Sequence, residues 1–357
     1  MSIRSFPCDS GGINCVTVLP TGQFVSGSEG TICFWKNDTG EREKINFIGH
    51  TDAINCLATL DDGNIISGSG DKTLIKWDID TGSILMRYRG HKKSISCVTQ
   101  LIGGSFKGCI ISGSYDETLH LWDNSGTRRI FIGHNNPVEG KYELAVRCVT
   151  ALPDGNFVSG SNDKNLRLWN VKNGEILQTF VGHTYHVLCV IALVGEYSGH
   201  IVSGSADSEL RLWNLASGKT IRIFTGHSDI VNCIIALPNG NLASASRDQT
   251  LRFWQIDTAK NIETVKNIGT VAAYNEHPGD VTCLALLPTN KIISGSSDGI
   301  LRVWSSDPKN INAVKAVKAV KAVKAVGGKR RNKMKRRNYT KKISRSRIIQ
   351  KKSRKYY

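Results

Sequence analysis

The chain has 357 residues of which 40% are hydrophobic, and a folded body of that size hides roughly 75% of its unfolded surface, which excludes disorder of the chain as a whole. Its formal net charge of +17 points to a polyanion partner until it is divided along the chain: Met1 to Pro308 carries 27 Lys+Arg against 30 Asp+Glu, a net −3, whereas Lys309 to Tyr357 carries 20 against none. The N-terminal MSIRSFPCDSGG lacks an apolar leader core and the longest apolar run, Val187 to Val194, is too short for a bilayer, so neither secretion nor membrane insertion is expected.

From the N-terminus onward the chain repeats itself. IISGSGDKTLIKWDI, Ile65 to Ile79, returns as IISGSYDETLHLWDN, Ile110 to Asn124. The seven Trp residues, Trp35, Trp77, Trp122, Trp169, Trp213, Trp254 and Trp304, are spaced 42, 45, 47, 44, 41 and 50 residues apart. The last six each follow an Asp by six residues and a Ser by ten; the first unit, SGSEGTICFW, is one residue shorter and has no His before it. Within a unit, segments such as INCLATL, NIISGS, TLIKW and ILMRYR alternate or are β-branched, and turn signals such as LPDGN, DTG and GH separate them, so each unit predicts four short strands.

A Gly-His and a Trp-Asp mark recurring at this period resembles the WD-repeat family over about Ser2 to Ser305. The resemblance implies an all-β, seven-bladed β-propeller of four-stranded blades. Aligning INC at Ile13 with INC at Ile54 lays Ser2 to Pro7 over Glu43 to Ile48, the expected outer strand of the first unit. The N-terminal segment is therefore expected to pair beside Leu301 to Trp304 as the outer strand of the last blade and close the ring. The expected division is a propeller at 1–308 and a disordered basic tail at 309–357. The family also implies a buried hydrogen-bonded tetrad in each of six blades: His50/Ser67/Asp71/Trp77, His91/Ser112/Asp116/Trp122, His134/Ser159/Asp163/Trp169, His183/Ser203/Asp207/Trp213, His227/Ser244/Asp248/Trp254 and His277/Ser294/Asp298/Trp304. The first blade is expected to have none.

Ser, His and Asp recurring together also describe a hydrolase triad. A nucleophilic Ser needs a free face, however, and six copies exceed one active site, so no catalytic residue is expected. SGKT, Ser217 to Thr220, has the end of a phosphate-binding loop but Trp213 at the place of its first Gly. Seven of the ten Cys, Cys15, Cys56, Cys97, Cys148, Cys189, Cys233 and Cys283, share one position in the innermost strands, where they read as small apolar fillers in a reducing compartment. No disulfide, metal or cofactor is expected.

Recognition is expected where the repeats differ. On the rim shared by the His loops and the Asp turns, here called the top, the variable positions are Lys72, Tyr115, Glu117, Arg147, Lys164, His186, Arg247 and Asp280, of which Lys72, Tyr115, Arg147, Lys164, His186 and Arg247 are the partner-binding candidates. They read either as scattered solvated residues or as a site for an acidic or phosphorylated segment. Two insertions break the period: the gap from His134 to Val146 is twelve residues where other blades have four, and Trp254 to His277 is 23. The tail begins with the period-three AVKAVKAVKAVKAV, passes Gly327 and Gly328, and continues with Lys329, Arg330, Arg331, Lys333, Lys335, Arg336 and Arg337. It reads as a nuclear-import or nucleic-acid segment, or as a solubilising one.

Together these features point to a non-enzymatic interaction scaffold in cytoplasm or nucleus, a monomeric propeller within a larger complex. One version resembles ubiquitin-binding or substrate-recognising propellers of the ubiquitin pathway, with ubiquitin as partner. The alternative is an RNA- or chromatin-associated scaffold that uses the tail. The tail also resembles those on proteins of large DNA viruses, which would place the chain in an infected host cell.

Overall fold

The computed structural model describes residues 4–7, 11–36, 41–43, 45–123, 125–126, 128–134, 144–256, 266–268, 272–274 and 277–306. The tail, with its expected disorder, and most of the Asn135 to Ala145 insertion lie outside these residues. Seven antiparallel sheets follow one another around a ring. Blade 4 shows the pattern, with Val146–Ala151 innermost, then Phe157–Ser161, Leu166–Trp169, and Ile176–Phe180 outermost. The second strand is buried along its whole length and the outermost only in part, as β-branched runs flanked by polar turns dictate. No helix among the described residues is long and apolar enough to cross a membrane.

Blade 7 is made from both ends of the ring. Arg4–Pro7 lies antiparallel to Ile300–Ser305, with Arg4 opposite Val303 and Pro7 opposite Ile300. Elsewhere the outer strands depart from expectation. In blade 1 the outermost strand is only Glu41–Arg42 rather than Glu43 to Ile48, yet Phe47 still packs edge-on against Trp77 of blade 2, ring centres 5.6 Å apart, as Phe131, Phe180 and Phe224 of the outer strands do against the Trp of the next blade. Blade 5 has five strands rather than four. Lys266–Ile268, from the long Trp254 to His277 segment, runs parallel to Thr220–Phe224, with Arg222 opposite Lys266. The chain then returns to its own sheet, where Ala272–Tyr274 forms the outer strand of blade 6. The extra residues of that segment cover an otherwise open sheet edge.

The apolar core is divided among the seams. Seven clusters form it, each shared by two neighbouring blades; the one between blades 4 and 5 joins Cys148, Val158 and Phe180 to Val187, Ile201 and Trp213. At the inner end of each seam the Gly of the second strand meets the ring Cys. A Cβ on Gly27, Gly68, Gly113, Gly160, Gly204 or Gly295 would lie 2.6–2.7 Å from that sulfur, so the recurring SGS is a packing requirement. Blade 6 has Ala245 there, and its thiol has moved: Cys233 Sγ faces the Leu284 carbonyl at 3.9 Å, whereas Cys189 Sγ faces that of Val231, the first residue of the next blade, at 3.8 Å.

Within the blades the polar chain begins at the indole, which can only donate. Trp77 Nε1 donates to Ser67 Oγ at 2.7 Å, leaving the hydroxyl proton for His50 Nε2 at 2.7 Å, so the other imidazole proton is on Nδ1 and points to Asp71 Oδ2 at 2.8 Å. The Asp in turn takes backbone N–H groups from Thr51 and Thr73. Blades 3 to 6 repeat the three side-chain contacts with their own residues at 2.7–3.0 Å. Blade 1 keeps a remnant, Trp35 Nε1 to Ser26 Oγ at 2.9 Å.

Blade 7 is wired differently. His277 Nε2 and Trp304 Nε1 both reach Ser294 Oγ at 2.7 Å, but Arg302 stands between His277 and Asp298, 2.7 Å from His277 Nδ1 and 2.8 Å from the carboxylate. Residue 278 differs as well. In blades 2, 3, 5 and 6 the N–H after the His donates to Asp Oδ2, and Pro278 has no N–H to give. Arg302 sets its charge against the carboxylate instead, although Asp298 Oδ2 accepts no hydrogen bond among the described residues. Arg302 also makes His277 Nδ1 an acceptor, the reverse of blades 2, 3, 5 and 6; in blade 4 Arg167 likewise lies against both His134 Nδ1 and Asp163 Oδ2.

Burial holds the imidazoles of His50, His134 and His227 below their ordinary value, and burial together with Arg302 lowers His277 to about 4. Each binds fewer protons folded than unfolded. Their contribution is therefore complete above the ordinary value of 6.5 and is lost as the pH falls. Denaturant midpoints are expected to decline from about pH 6.5 toward 4 with proton uptake on unfolding; a flat midpoint across that window would contradict the buried neutral imidazoles. Removing a carboxylate tests the chain directly. Asp163→Ala strips the partner from His134 and Arg167 and should cost about 1–3 kcal/mol, against under about 0.5 for the exposed Glu29→Ala.

Candidate functional site: the top mouth between blades 3 and 5

The rim is laced by backbone bonds. The residue after each second strand donates its N–H to the carbonyl just before the first strand: Tyr115 to Ser94, Asn162 to Ala145, Ala206 to His186 and Arg247 to Ile230, at 2.9–3.0 Å. One residue after the turn Asp, the backbone is left-handed in every blade that has one. Lys72, Glu117, Lys164, Ser208 and Gln249 have φ of 68–71°, where blade 7 uses Gly299. A side chain held there is costly compared with Gly, so these five positions carry side chains at the expense of backbone comfort.

The structure brings four of the six rim candidates together. The Arg147 guanidinium lies over the Tyr115 ring, 4.9 Å from its centre, and its Nη1 donates to the Tyr115 hydroxyl. His186 is held below its ordinary value by partial burial and by the charges of Arg147 and Lys164. It stacks on Tyr185, ring centres 4.5 Å apart, and Tyr185 is 53% exposed. Arg147 and Lys164 thus set up a positive field in which the neutral form of His186 is favoured, with Tyr115 and Tyr185 as aromatic walls. Such a field lowers the cost of bringing an anion out of water.

Two candidates stand apart. Arg247 pairs with Asp280 at 3.3 Å across the blade 6 to blade 7 seam, so its charge is already answered. Lys72 is exposed and makes no ion pair or ring contact with the cluster among the described residues. Tyr185 escaped the sequence reading although it adjoins His186. Its exposure, not its position in the repeat, marks it.

Blade 3 holds one further cluster. His120 occupies the third-strand position of Arg167, Arg211, Arg252 and Arg302, stacked on His91 with ring centres 3.8 Å apart and planes 18° from parallel, and Asp116 completes a trio whose ligand atoms lie within 4.8 Å of one another. Nearly parallel rings aim their nitrogens side by side instead of at one point. Both nitrogens of His91 already serve Asp116 and Ser112, so the trio does not fit a tetrahedral metal. The ring thiols are no more reactive: burial pushes Cys97 and Cys283 up to about 12 and Cys233 to about 11.

Known proteins carry the same repeat. The family model described as WD domain, G-beta repeat, matches residues 1–36, 41–78, 82–123, 127–170, 174–214, 218–255 and 268–305. Among curated proteins the chain is similar to a guanine nucleotide-binding protein subunit beta of Nicotiana tabacum, 36% identical over 120 residues, 31% of this chain and 29% of that one. It is similar to the Arabidopsis thaliana subunit of that name at 29% over 183 residues, 48% and 44% of the two chains. The nuclear distribution protein PAC1 of Arthroderma otae matches at 30% over 119 residues, 32% and 25%. The chain thus spans less than half the length of each of these relatives. Among solved structures, the WD40 β-propeller domain of Doa1 superposes with a TM-score of 0.72 at 22% identity, covering 86% of this chain and 97% of that one, a likeness of fold. Seven matched repeats over a ring of seven sheets make this chain a member of the WD40 repeat family.

Proposed function

We propose that the chain is a non-enzymatic protein-interaction scaffold whose top mouth, between blades 3 and 5, receives an acidic or phosphorylated segment of a partner protein. The observation that carries this reading is the Arg147 guanidinium, fixed over Tyr115 and sharing with Lys164 a positive field at His186. The tetrad hydroxyls support the non-enzymatic part. Ser67, Ser112, Ser159, Ser203, Ser244 and Ser294 are fully buried, each held between an indole and an imidazole, with no face for a substrate. A place in the ubiquitin pathway, with ubiquitin or a ubiquitin-ligase substrate as partner, rests on resemblance, and so does residence in cytoplasm or nucleus.

Arg147→Ala alone should abolish capture of the partner while the thermal midpoint stays within about 2–4 °C of the parent's. Arg247→Ala, whose parent charge is paired with Asp280, should change capture little. Affinity purification of both variants beside the parent chain, with a direct titration of ubiquitin, reads these outcomes. An Arg147→Ala chain that keeps every partner would move the site off this rim.

A second reading concerns the tail and rests on the division of charge, net −3 before Lys309 and 20 basic residues with no acidic one after it. The tail is proposed to neutralise phosphates of RNA or DNA, or to engage an import receptor, independently of the rim. RNA binding by the full chain should weaken steeply between low and physiological salt as counterions are released. It should vanish on deletion of Lys309 to Tyr357. Tight RNA binding by Met1 to Pro308 would put the nucleic-acid site on the propeller.

A further inference from the structure

The residue just before each ring Cys is the bulged one. In blades 2 to 7 the register between the first and second strands shifts at this residue, between Ile54 and Cys56 in blade 2 and between Val146 and Cys148 in blade 4. A bulge re-aims its side chain, and here most of these side chains reach the next blade. Asn14 Nδ2 donates to the Ile54 carbonyl at 3.1 Å, Asn55 to Ile95 at 2.9 Å and Asn232 to Val281 at 2.9 Å. The hydroxyls of Ser96 and Thr282 donate to the carbonyls of Val146 and Ile13. Five of the seven seams therefore carry the same polar bridge, from the bulge residue to the first residue of the next innermost strand.

The other two seams are neighbours. At the bulge position blade 4 has Arg147 and blade 5 has Leu188, and the carbonyls they would have met, Val187 and Val231, face only the thiols of Cys148 at 4.0 Å and Cys189 at 3.8 Å. Arg147 turns instead to Tyr115. Leu188 is partly exposed and belongs to none of the seven core clusters, so core packing does not account for it. Two bridges are forgone, and a cation and an apolar side chain hold equivalent positions in the neighbouring innermost strands of blades 4 and 5.

We propose that Arg147 and Leu188 act as a two-part reader, selecting a partner segment in which an anionic side chain lies next to an aliphatic or aromatic one. This rests on the reading of the top mouth as a partner site and narrows it. Arg147 takes the anion, while Leu188 covers the neighbouring apolar group and makes the mouth drier for the ion pair. A segment with the acid alone forgoes the apolar contact, and one with the apolar residue alone leaves Arg147 unanswered.

Selection from a random peptide display library on the full chain tests this, beside Arg147→Gln and Leu188→Asn in the same full-length background. Leu188→Asn offers the Val231 carbonyl the amide that Asn14, Asn55 and Asn232 offer elsewhere, so it should fold with an equal or higher thermal midpoint. The parent chain should enrich acid-beside-apolar pairs about tenfold over acid alone, a factor worth about 1.4 kcal/mol. Leu188→Asn should lose the apolar preference and keep the acid. Arg147→Gln should keep only the acidic background that the basic tail, present in all three chains, selects by itself. If Arg147→Gln changes the selection and Leu188→Asn does not, the two-part reader is wrong and the partner site stands. If neither changes it, both are wrong. A single-stranded RNA oligonucleotide held by the parent chain and lost on Arg147→Gln would overturn the peptide reader in favour of a nucleic-acid one.

Discussion

The propeller depends on an indole N–H that has nowhere to go but a serine. All seven Trp residues donate to a buried Ser of the neighbouring strand, at 2.7–2.9 Å. Because the indole can only donate, it sets the direction of the later bonds in blades 2, 3, 5 and 6, whereas in blade 7 Arg302 turns the imidazole's direction round. The hydroxyl passes its proton outward, the imidazole relays it, and the carboxylate gathers the turn. A blade held in this way presents a flat apolar face to each neighbour, and the seven shared clusters follow. Blade 1 shows the minimum, an indole and a serine without imidazole or carboxylate, held by its neighbours' packing.

The ring was legible in the sequence because its physics is periodic. Trp at a fixed distance after Ser and Asp, a His before each unit and an unmatched first segment were enough to place the strands and to pair Arg4–Pro7 with the last blade. Departures from period were legible only as departures. The 23-residue span after Trp254 declared an insertion, yet nothing in it says that three of its residues lie parallel to blade 5, since strand partners are chosen by edges that the sequence does not display. Arg247 read as a cation for a ligand; its neutralisation by Asp280 needed the seam between two blades. Some signals were present and unread. Pro278 directly after His277 announces that a carboxylate has lost a backbone donor, and Ala245 in place of a Gly announces a displaced thiol.

Conversely, the candidate site is built by omission. Two of its residues, Arg147 and Leu188, stand where five blades bridge a seam, while Lys164 stands on a left-handed turn that four other blades also fill with a side chain. The scaffold tolerates these exchanges because each seam is also held by an apolar cluster of its own, so one missing polar bridge costs little. Redundancy among seven nearly equal seams is what frees single residues for recognition.

The composite last blade has a consequence for biosynthesis. Arg4 and Val303 face each other across one ladder, so the ring's first strand in chain order pairs with its last. At ~5–20 residues per second, Arg4–Pro7 spends on the order of 15–60 s without its partner while six blades assemble behind it. Until then the nascent chain is an open arc with an unsatisfied sheet edge at one end and an uncovered blade face at the other. Such an arc is a natural client for chaperones and, at high concentration, for another copy of itself. Closure is thus a late, long-range event, and the short strand Arg4–Pro7 is what completes the ring.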